Sequence, residues 1–340
     1  MPRPLYKEDR GIMAECVFLH YKKGLDQAEV GARLNLNQSQ VSKLLKRAKE
    51  EGVFEIDIRI NYPYYKELEE KIKGIFNLRE VVIVESQEST IGSDTHLSRA
   101  IGIEAARYFE KQAKRGNKVG ISGGLTMFEF VNGLSHPPNY IKLYPLVSWA
   151  AQDLRIKHIQ PSTLVSLWWT KFNNIEAYKL DLPCLFPEDI LKPIKDSAEN
   201  LFEEVKDINF IVTSVGRIDK GSTFAEWVDD VRFDITKLMD EGAIGDFIGH
   251  PIDRDGENVE GESIKAFNRL VVSLIDIEAT KKIVSKNDPA QFVILAAGGY
   301  RKLDSISACL RGTLCNVLVT DHEVAKDLLD LYEKGGFANL

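Results

Sequence analysis

Cysteine is scarce in the sequence, long apolar runs are absent, and the start carries no apolar leader. The four cysteines among 340 residues are Cys16, Cys184, Cys309 and Cys315, and no two have CxxC spacing. Such scattered cysteines are typical of small buried side chains rather than of disulfides or metal ligands. No window approaches the about 20 apolar residues of a membrane span. Because a secretory signal also needs an apolar core, we expect a cytoplasmic protein without a membrane partner.

Signatures of metal or serine chemistry are missing as well. The six histidines show neither HxH nor HExxH spacing, which speaks against a metal site. Ser122 does not stand in the GxSxG elbow of a serine hydrolase. We therefore expect no metal and no cofactor, and we assign no catalytic residue.

The composition is that of a folded protein of two domains. With 44% hydrophobic and 28% charged residues, the chain does not belong to the disordered, collagen-like or coiled-coil classes. A single hydrophobic core usually stops growing at about 250–300 residues, so a chain of 340 residues implies two domains. We place them at 1–60 and 80–340, with a connecting helix at 61–79.

Charge is distributed unevenly along the chain. The net charge of −7 by itself speaks against nucleic acid as a partner. Residues 1–60, however, hold 11 basic and 9 acidic side chains, whereas the rest holds 33 and 42. Between Gln38 and Lys49 there are four basic residues and no acidic one. The sequence thus joins a slightly positive first domain to an acidic body.

The first domain has the pattern of a helix–turn–helix. Three short helices are predicted between about Lys7 and Glu51, and the first ends at Gly24. Asp26 with Glu29 forms a capping-box pattern, and Asn37 with Gln40 repeats it. A third helix therefore opens after a very short turn.

The third helix separates apolar from polar side chains. Its apolar residues fall within about 100° of arc on a helical wheel, which suits a small core; they are Val41, Leu44, Leu45 and Ala48. Amides, hydroxyls and cations occupy the other side, as a recognition helix in the major groove requires. The predicted DNA-binding residues are Gln38, Ser39, Gln40, Ser42, Lys43, Lys46 and Arg47. An ordinary amphipathic surface helix with solvated lysines shows the same periodicity and stays as the alternative.

Beyond the first domain, apolar runs alternate with helical patterns. A short strand is predicted at Glu55–Ile60 and a connecting helix at Tyr65–Phe76, whose apolar stripe suits a partner subunit, the next domain or its own chain. Further strands are predicted at Val81–Val84, Lys118–Ser122, Ile141–Val147, Phe210–Val215, Arg269–Ile275, Phe292–Ala296 and Asn316–Thr320. The predicted helices between and after them are Thr95–Arg115, Leu125–Gly133, Ser162–Phe172, Asp196–Val205, Ile277–Ser285, Leu303–Arg311 and His322–Lys334. This alternation indicates a doubly wound α/β sheet, in which ligands bind at the carboxyl ends of the strands.

Three loops at such strand ends have the chemistry of an anion site. Ser122–Thr126 contains a Gly-Gly turn that lets backbone amides approach a phosphate, and Gly298–Lys302 adds a cation. Thr213–Arg217 contributes further hydroxyls and an arginine. A Gly-Gly turn between strand and helix also occurs without a ligand, so the first loop alone decides nothing. Trp149, at another strand end, is a further candidate for stacking on a sugar ring.

These residues carry a resemblance to the SorC/DeoR-type sugar-binding transcriptional regulators. The resemblance covers Tyr21–Val53, and it continues at Gly120–Thr126, Gly242–Asp246 and Gly298–Asp321. Two positions of the first domain depart from the family pattern. Asp26 stands for the usual Thr and is still a good N-cap, whereas Gly31 stands for the usual Ala and is expected to loosen the second helix.

The resemblance implies a sensor for a phosphorylated sugar or polyol, with a fold related to sugar-phosphate isomerases and deaminases. Carried over position by position, it places the phosphate against Ser122, Gly123, Gly124, Thr126 and Lys302. It places the sugar hydroxyls against Asp246, since a carboxylate accepts from vicinal hydroxyls; Asp246 could instead brace its own loop.

The sequence therefore predicts a cytoplasmic DNA-binding regulator whose affinity for an operator is controlled by a phosphorylated sugar or polyol. A single helix–turn–helix unit, or head, makes few phosphate contacts and binds DNA weakly, so a homodimer or homotetramer is expected. The alternatives are a sugar-phosphate isomerase or deaminase on the same fold, and a DNA-binding protein whose large domain only oligomerises.

Overall fold

The computed structural model describes most of the chain, in two compact units, Met1–Asn61 and Tyr62–Leu340. The described ranges are 7–51, 53–54, 63–85, 94–137, 140–148, 154–172, 174–180, 199–230, 233–269 and 271–335. The strand predicted at Glu55–Ile60 and the candidate Trp149 lie outside them, as does the start of the helix predicted at Asp196–Val205.

The first unit is built from helices around a small core. Its helices are α1 (Lys7–Val17), which continues as a π-helical turn (Phe18–Lys22), α2 (Gln27–Leu34) and α3 (Gln38–Glu50). The core is formed by the buried side chains of Cys16, Leu19, Val30, Val41 and Leu45. The predicted apolar stripe of α3 is confirmed, because Val41, Leu45 and Ala48 are buried and Leu44 packs against the core.

Both predicted capping boxes are present. The amide of Glu29 donates to the carboxylate of Asp26 over 2.8 Å, and the Asp26 amide donates to the Glu29 carboxylate over 2.8 Å. Asn37 and Gln40 make the same reciprocal pair over 2.9 Å. Each pair satisfies backbone donors that the helix itself leaves without a partner, so both helices begin where the sequence predicts.

The turn between α2 and α3 depends on Gly31. The Leu36 amide donates to the Gly31 carbonyl over 2.8 Å, and Asn35 ends α2 in the left-handed region with φ of 54°. A Cβ at position 31 would lie 2.5 Å from the Leu36 carbonyl oxygen. The glycine therefore allows the chain to turn back tightly against α2, while the expected loosening of the helix stays a prediction.

The second unit contains twelve helices and twelve strands in the described ranges. The helices are α4 (Pro63–Ile75), α5 (Asp94–Gln112), α6 (Leu125–Gly133), α7 (Leu154–Lys157), α8 (Pro161–Lys171), α9 (Glu199–Glu204), α10 (Thr223–Asp230), α11 (Ile235–Asp240), α12 (Glu262–Asn268), α13 (Ile277–Lys286), α14 (Leu303–Arg311) and α15 (His322–Glu333). A 3₁₀ turn at Tyr300–Lys302 precedes α14. The strands are β1 (Glu80–Val84), β2 (Lys118–Ile121), β3 (Ile141–Pro145), β4 (Val147–Ser148), β5 (Ile175–Ala177), β6 (Phe210–Thr213), β7 (Val215–Arg217), β8 (Gly245–Phe247), β9 (His250–Ile252), β10 (Val272–Ser273), β11 (Phe292–Ala296) and β12 (Val317–Asp321).

Seven strands form the central parallel sheet in the order β1-β12-β11-β6-β2-β3-β5. One face packs against α5, α6 and α8 through a core that includes Phe109, Phe130 and Trp168. The opposite face is covered by a core that includes Leu68 of α4 and Leu328 of α15. A sheet covered on both faces explains why its strands read as continuous apolar runs. The predicted doubly wound α/β fold is confirmed.

The structure corrects several element predictions. Ile141–Val147 and Phe210–Val215 each divide into two strands, and Arg269–Ile275 forms only the two-residue strand β10, which pairs with β4. The antiparallel sheet β7-β8-β9 and the helices α10 to α12 were not predicted. Each of these strands has three residues and each of these helices has at most eight, so local periodicity carries little signal for them.

In the described part of the chain, no helix is long and apolar enough to cross a membrane. The same residues contain no cluster of three or more His, Cys, Asp or Glu side chains that could hold a metal ion.

Candidate functional site

The three predicted loops meet at one edge of the sheet. They follow β2, β6 and β11, which are neighbours in the sheet and run parallel. Parallel strands end at the same edge, so polar groups from distant parts of the sequence come together there. The end of β12, beside β11, brings Asp321 to this edge as well.

Hydroxyl groups join the first two loops. Ser122 follows β2 and Thr213 ends β6, and the Thr213 hydroxyl lies 2.9 Å from the Ser122 hydroxyl. Thr213 Oγ1 is also 2.9 Å from the Ser214 carbonyl oxygen, and both Ser122 and Thr213 are buried. A hydroxyl has one proton and two acceptor positions, so this pair can still accept from or donate to a third group.

The Gly-Gly turn is held by a hydrogen bond to the Ile159 carbonyl and by the start of α6. Gly124 has φ of 110°, which favours glycine, and its amide donates to the Ile159 carbonyl over 2.9 Å. That amide is therefore occupied, which argues against its predicted role as a phosphate donor in this arrangement. Gly123 and Thr126 are buried beside it, with Thr126 in the first turn of α6.

The carboxyl end of α6 is fixed by a cation. Lys171 Nζ donates to the carbonyls of Val131, Asn132 and Leu134 over 2.7, 2.8 and 3.2 Å. An ammonium group at this end complements the helix dipole, whose positive end lies at Gly124. Burial lowers the pKa of Lys171.

Lys302 reaches the same edge from the third loop. It ends the 3₁₀ turn, is partly buried, and its Nζ lies 3.5 Å from the Ser214 hydroxyl. The structure thus brings the predicted cation to the Ser214 hydroxyl, one residue after Thr213. A cation and several hydroxyls at one strand edge are suited to a phosphate oxygen.

Asp246 is buried in the small antiparallel sheet. It lies on β8 opposite Gly216 of β7, two residues after Ser214. The residue is 5% exposed, and Oδ1 has no hydrogen-bond partner among the described residues. Burial raises the pKa of Asp246 from 3.8 to about 7, against a lowering contribution from the Gly249 amide. The hydrogen bond from the Gly249 amide braces the turn between β8 and β9, and Oδ1 is left for a ligand hydroxyl, so the structure fits both predicted roles of Asp246.

Two hydrogen-bonded pairs join the loops at this edge of the sheet. Hydrogen bonds join Ser122 to Thr213 and Lys302 to Ser214. Asp246 lies on β8 of the small antiparallel sheet, and Thr126 lies in the first turn of α6. The sequence prediction placed the Thr213 and Ser214 hydroxyls in an anion-binding loop, although not among its effector residues. It gave no effector role to Asp321, which directly follows the strand predicted at Asn316–Thr320.

The predicted DNA-binding residues share one surface of the first unit. Gln38, Ser39, Gln40, Ser42, Lys43 and Lys46 are exposed, and Arg47 is partly buried. Two of the cations have acidic neighbours on the same helix or its end. Arg47 Nε donates to Glu51 over 2.6 Å, whereas Lys46 lies 3.9 Å from Glu50. The Gln40 side chain takes part in the capping box, so one of its hydrogen-bonding atoms is already used.

Comparison with known proteins matches residues 64–330 to the family described as a putative sugar-binding domain. The deoxyribonucleoside regulator of Bacillus subtilis is 26% identical over 333 residues, covering 95% of this chain and 99% of that protein. The sorbitol operon regulator of Klebsiella pneumoniae is 24% identical, covering 95% and 98%. The crystal structure of the full-length sorbitol operon regulator SorC from Klebsiella pneumoniae aligns with a TM-score of 0.75 at 20% identity, covering 95% of this chain and 100% of that one. The last similarity shows a shared fold across both units.

Proposed function

Because the chain belongs to the family defined by the putative sugar-binding domain, as its SorC/DeoR-type resemblance predicted, we propose that it is a transcriptional regulator controlled by a sugar-type effector. The relatives named above are a deoxyribonucleoside regulator and a sorbitol operon regulator. Their similarity extends over nearly the whole chain, including the first unit. The proposal places the protein's action in the cytoplasm, on operator DNA.

The observation that carries this proposal is the exposed polar face of α3. A three-helix core holds α3 by Val41 and Leu45, while Ser39, Ser42 and Lys43 are exposed on its other side. Short polar side chains near a helix N-terminus can contact base edges, and cations further along can contact phosphates. Contacts of this kind explain how an acidic protein binds DNA through one small surface.

For the effector we propose a phosphorylated sugar or polyol. Lys302 with the hydroxyls of Ser122, Thr213 and Ser214 supplies donors for the phosphate, and Asp246 supplies an acceptor for sugar hydroxyls. The cation and the hydroxyls lie at the ends of neighbouring parallel strands, and Asp246 lies on β8 opposite Gly216, two residues after Ser214. A ligand with an anionic end and a hydroxylated end matches these groups.

We propose that the protein acts as a homodimer or homotetramer. The recognition surface of one head is small, and its few cations support only weak binding with strong dependence on salt. Two heads on paired half-sites, separated by whole helical turns of about 10 base pairs, supply the affinity of an operator complex. Sedimentation of the protein at micromolar concentration as a monomer would contradict this part of the proposal.

An enzyme on the same fold is the competing function. It would need a general base beside the sugar, and the buried Asp246 with its raised pKa is the candidate that the structure offers. The regulators among the relatives favour the first proposal. Turnover of pentose or hexose phosphates without any DNA binding would support the enzyme instead.

The proposal is tested in two measurements on the full chain. Thermal shifts are recorded with glucitol 6-phosphate, fructose 6-phosphate, deoxyribose 5-phosphate and the corresponding unphosphorylated compounds, since a ligand of the native state raises the melting temperature. A duplex selected by the protein from a random DNA pool is then titrated with and without the compound that shifts most. We expect a shift with at least one phosphorylated compound and an altered DNA affinity in its presence.

Two variants separate the sites. Lys302→Ala should abolish the thermal shift and keep DNA binding, whereas Arg47→Ala should weaken DNA binding and keep the shift. A protein that responds to no compound in the panel, or that selects no DNA sequence, does not have the proposed function.

A further inference from the structure

We propose that Asp321 is a positioning residue that links the Lys302 loop to the connecting helix α4 and so carries the effector response toward the DNA-binding unit. This inference rests on the proposed function and names a route for its regulation. Three consecutive contacts support it, from the loop to Asp321, from Asp321 to α15, and from α15 to α4.

The first contact holds the loop that precedes Lys302. The Gly299 amide donates to Asp321 Oδ2 over 2.7 Å, and the Gly299 carbonyl accepts from the Lys302 amide over 2.8 Å. A Cβ at Gly298 would lie 2.4 Å from the same carboxylate oxygen. The Asp321 carboxylate is therefore in close contact with the loop, and Gly299 joins it to Lys302, the cation of the effector site.

The second contact fixes the start of α15. Asp321 Oδ1 accepts from the amides of Glu323 and Val324 over 3.2 Å each, and its side chain is 1% exposed. The Asp321 carboxylate thus accepts from one loop amide with Oδ2 and from two amides of the helix with Oδ1. A movement of the loop pulls on the N-cap of α15, because a buried capping group has no solvent to replace a lost partner.

The third contact joins α15 to the connecting helix. The ring of His322, the first residue of α15, stacks on the ring of Tyr65 in α4 with centroids 5.5 Å apart and planes at 30°. Leu68 and Ile72 of α4 are buried in the same core as Leu328 of α15. Glu69 of α4 also accepts from the Ile83 amide of β1 over 2.9 Å. Helix α4 is therefore packed against α15 and bonded to β1 at the sheet edge, and we expect it to move together with them.

The chain order makes this route relevant to DNA. Helix α4 begins at Pro63, so its amino end is the covalent continuation of the first unit, Met1–Asn61. A ligand that engages Lys302 more tightly in one loop arrangement favours the matching position of α15 and α4. Coupling between two sites needs such a differential contact, and typical coupling changes affinity by about 5–150-fold.

The test uses Asp321→Asn in the full-length protein. Asparagine caps a helix as well as aspartate does, but its amide NH₂ cannot accept from the Gly299 amide. The probes are the panel compound that shifts the wild-type melting temperature most and the duplex that the wild type selects. We expect the variant to bind the probe within about tenfold of the wild-type affinity, while the probe at saturation changes its DNA affinity less than twofold.

Two further variants make the result specific. Asp276→Asn changes an exposed N-cap of α13, which accepts from the Ala279 amide over 2.7 Å, and should leave both ligand binding and coupling as in the wild type. Tyr65→Leu removes the stacking partner of His322 far from the loop, so it should keep the probe affinity and reduce coupling. Tyr65→Leu also decides the question if Asp321→Asn no longer binds the probe.

The outcomes separate the inference from the proposed function. A wild-type protein whose DNA affinity does not respond to any panel compound refutes the proposed function. A responsive wild type together with full coupling in Asp321→Asn or in Tyr65→Leu overturns the inference alone.

Discussion

The hydroxyl groups of Ser122 and Thr213 lie 2.9 Å apart, although 91 residues separate them in the sequence. Each belongs to the end of a different parallel strand, and both side chains are buried. Lys302 Nζ lies 3.5 Å from the hydroxyl of Ser214, the residue after Thr213. The Ser122–Thr213 pair therefore connects the Gly-Gly loop to Lys302, the cation of the proposed effector site. Phosphate recognition should therefore depend on a residue outside the Gly-Gly loop itself.

Thr213→Val tests this dependence. Valine keeps the shape of the side chain but removes the hydroxyl, so Ser122 loses a partner that orients it. A hydrogen bond of this kind contributes about 0.5–1.5 kcal/mol, which corresponds to an affinity loss of roughly two- to thirteenfold for the phosphorylated compound. Isothermal titration measures the loss.

The matched control is Thr280→Val. Thr280 is also buried, and its hydroxyl donates to the Asp276 carbonyl over 2.9 Å on helix α13, away from the three loops. Its replacement should leave the ligand affinity unchanged. Equal affinities in wild type and Thr213→Val would show that the hydroxyl pair has no role in recognition.

Much of this arrangement is predictable from the sequence because its signals are local. Asp26 and Asn37 each form a capping box with the residue three positions later, and this pattern predicts a helix start. The Gly-Gly turns predict the ends of strands. The double contact of Asp321 depends on Gly299, 22 residues earlier, and no spacing rule connects the two. The predicted strand at Arg269–Ile275 was wrong for most of its length, since a short apolar run does not distinguish a strand from a buried loop.

Asp246→Asn should stabilise the protein in a manner that depends on pH. Burial raises the pKa of the folded-state carboxyl to about 7, above its ordinary value of 3.8. The folded state therefore binds the proton more tightly, and its free energy of unfolding falls as pH rises from about 4 to 7. Asparagine has no proton to lose, so the stability gain should grow over this interval to the order of a few kcal/mol and stay constant above it. Urea unfolding between pH 4.5 and 8 measures the difference.

Asp234→Asn is a control of opposite sign. Hydrogen bonds from the Thr236 hydroxyl and amide lower the pKa of Asp234 at the start of α11. Ionised Asp234 therefore stabilises the fold above the ordinary carboxyl pKa, and this contribution is lost as pH falls through the lower folded value. An equal effect of Asp246→Asn at all pH values would mean that the carboxyl titrates normally.

Gly31→Ala should disrupt the DNA-binding unit. The new Cβ would lie 2.5 Å from the Leu36 carbonyl oxygen, so the turn between α2 and α3 must move. Strain of this kind destabilises by about 1–3 kcal/mol, and it displaces α3 relative to the core. We expect a lower melting temperature for the first unit and a loss of operator affinity, measured by fluorescence anisotropy.

Gly11→Ala provides the comparison for that substitution. Gly11 lies within α1, and a Cβ there meets nothing within 4 Å. Alanine has a higher helix propensity than glycine by about 1 kcal/mol, so this variant should be as stable as the wild type or more stable. Similar destabilisation by both substitutions would disprove the steric role assigned to Gly31.

Glu51→Gln should strengthen the binding of DNA. Glu51 accepts from Arg47 Nε over 2.6 Å and places a negative charge beside the recognition helix. Glutamine keeps the length of the side chain but removes the charge, so Arg47 can turn toward a DNA phosphate at lower cost. Each additional phosphate contact increases the slope of log affinity against log salt by about 0.9 in magnitude. Titrations between 50 and 200 mM salt should therefore give a steeper slope for Glu51→Gln, and the double variant Arg47→Ala/Glu51→Gln should lose this increase. If the single and double variants share one slope, Arg47 does not contact the backbone.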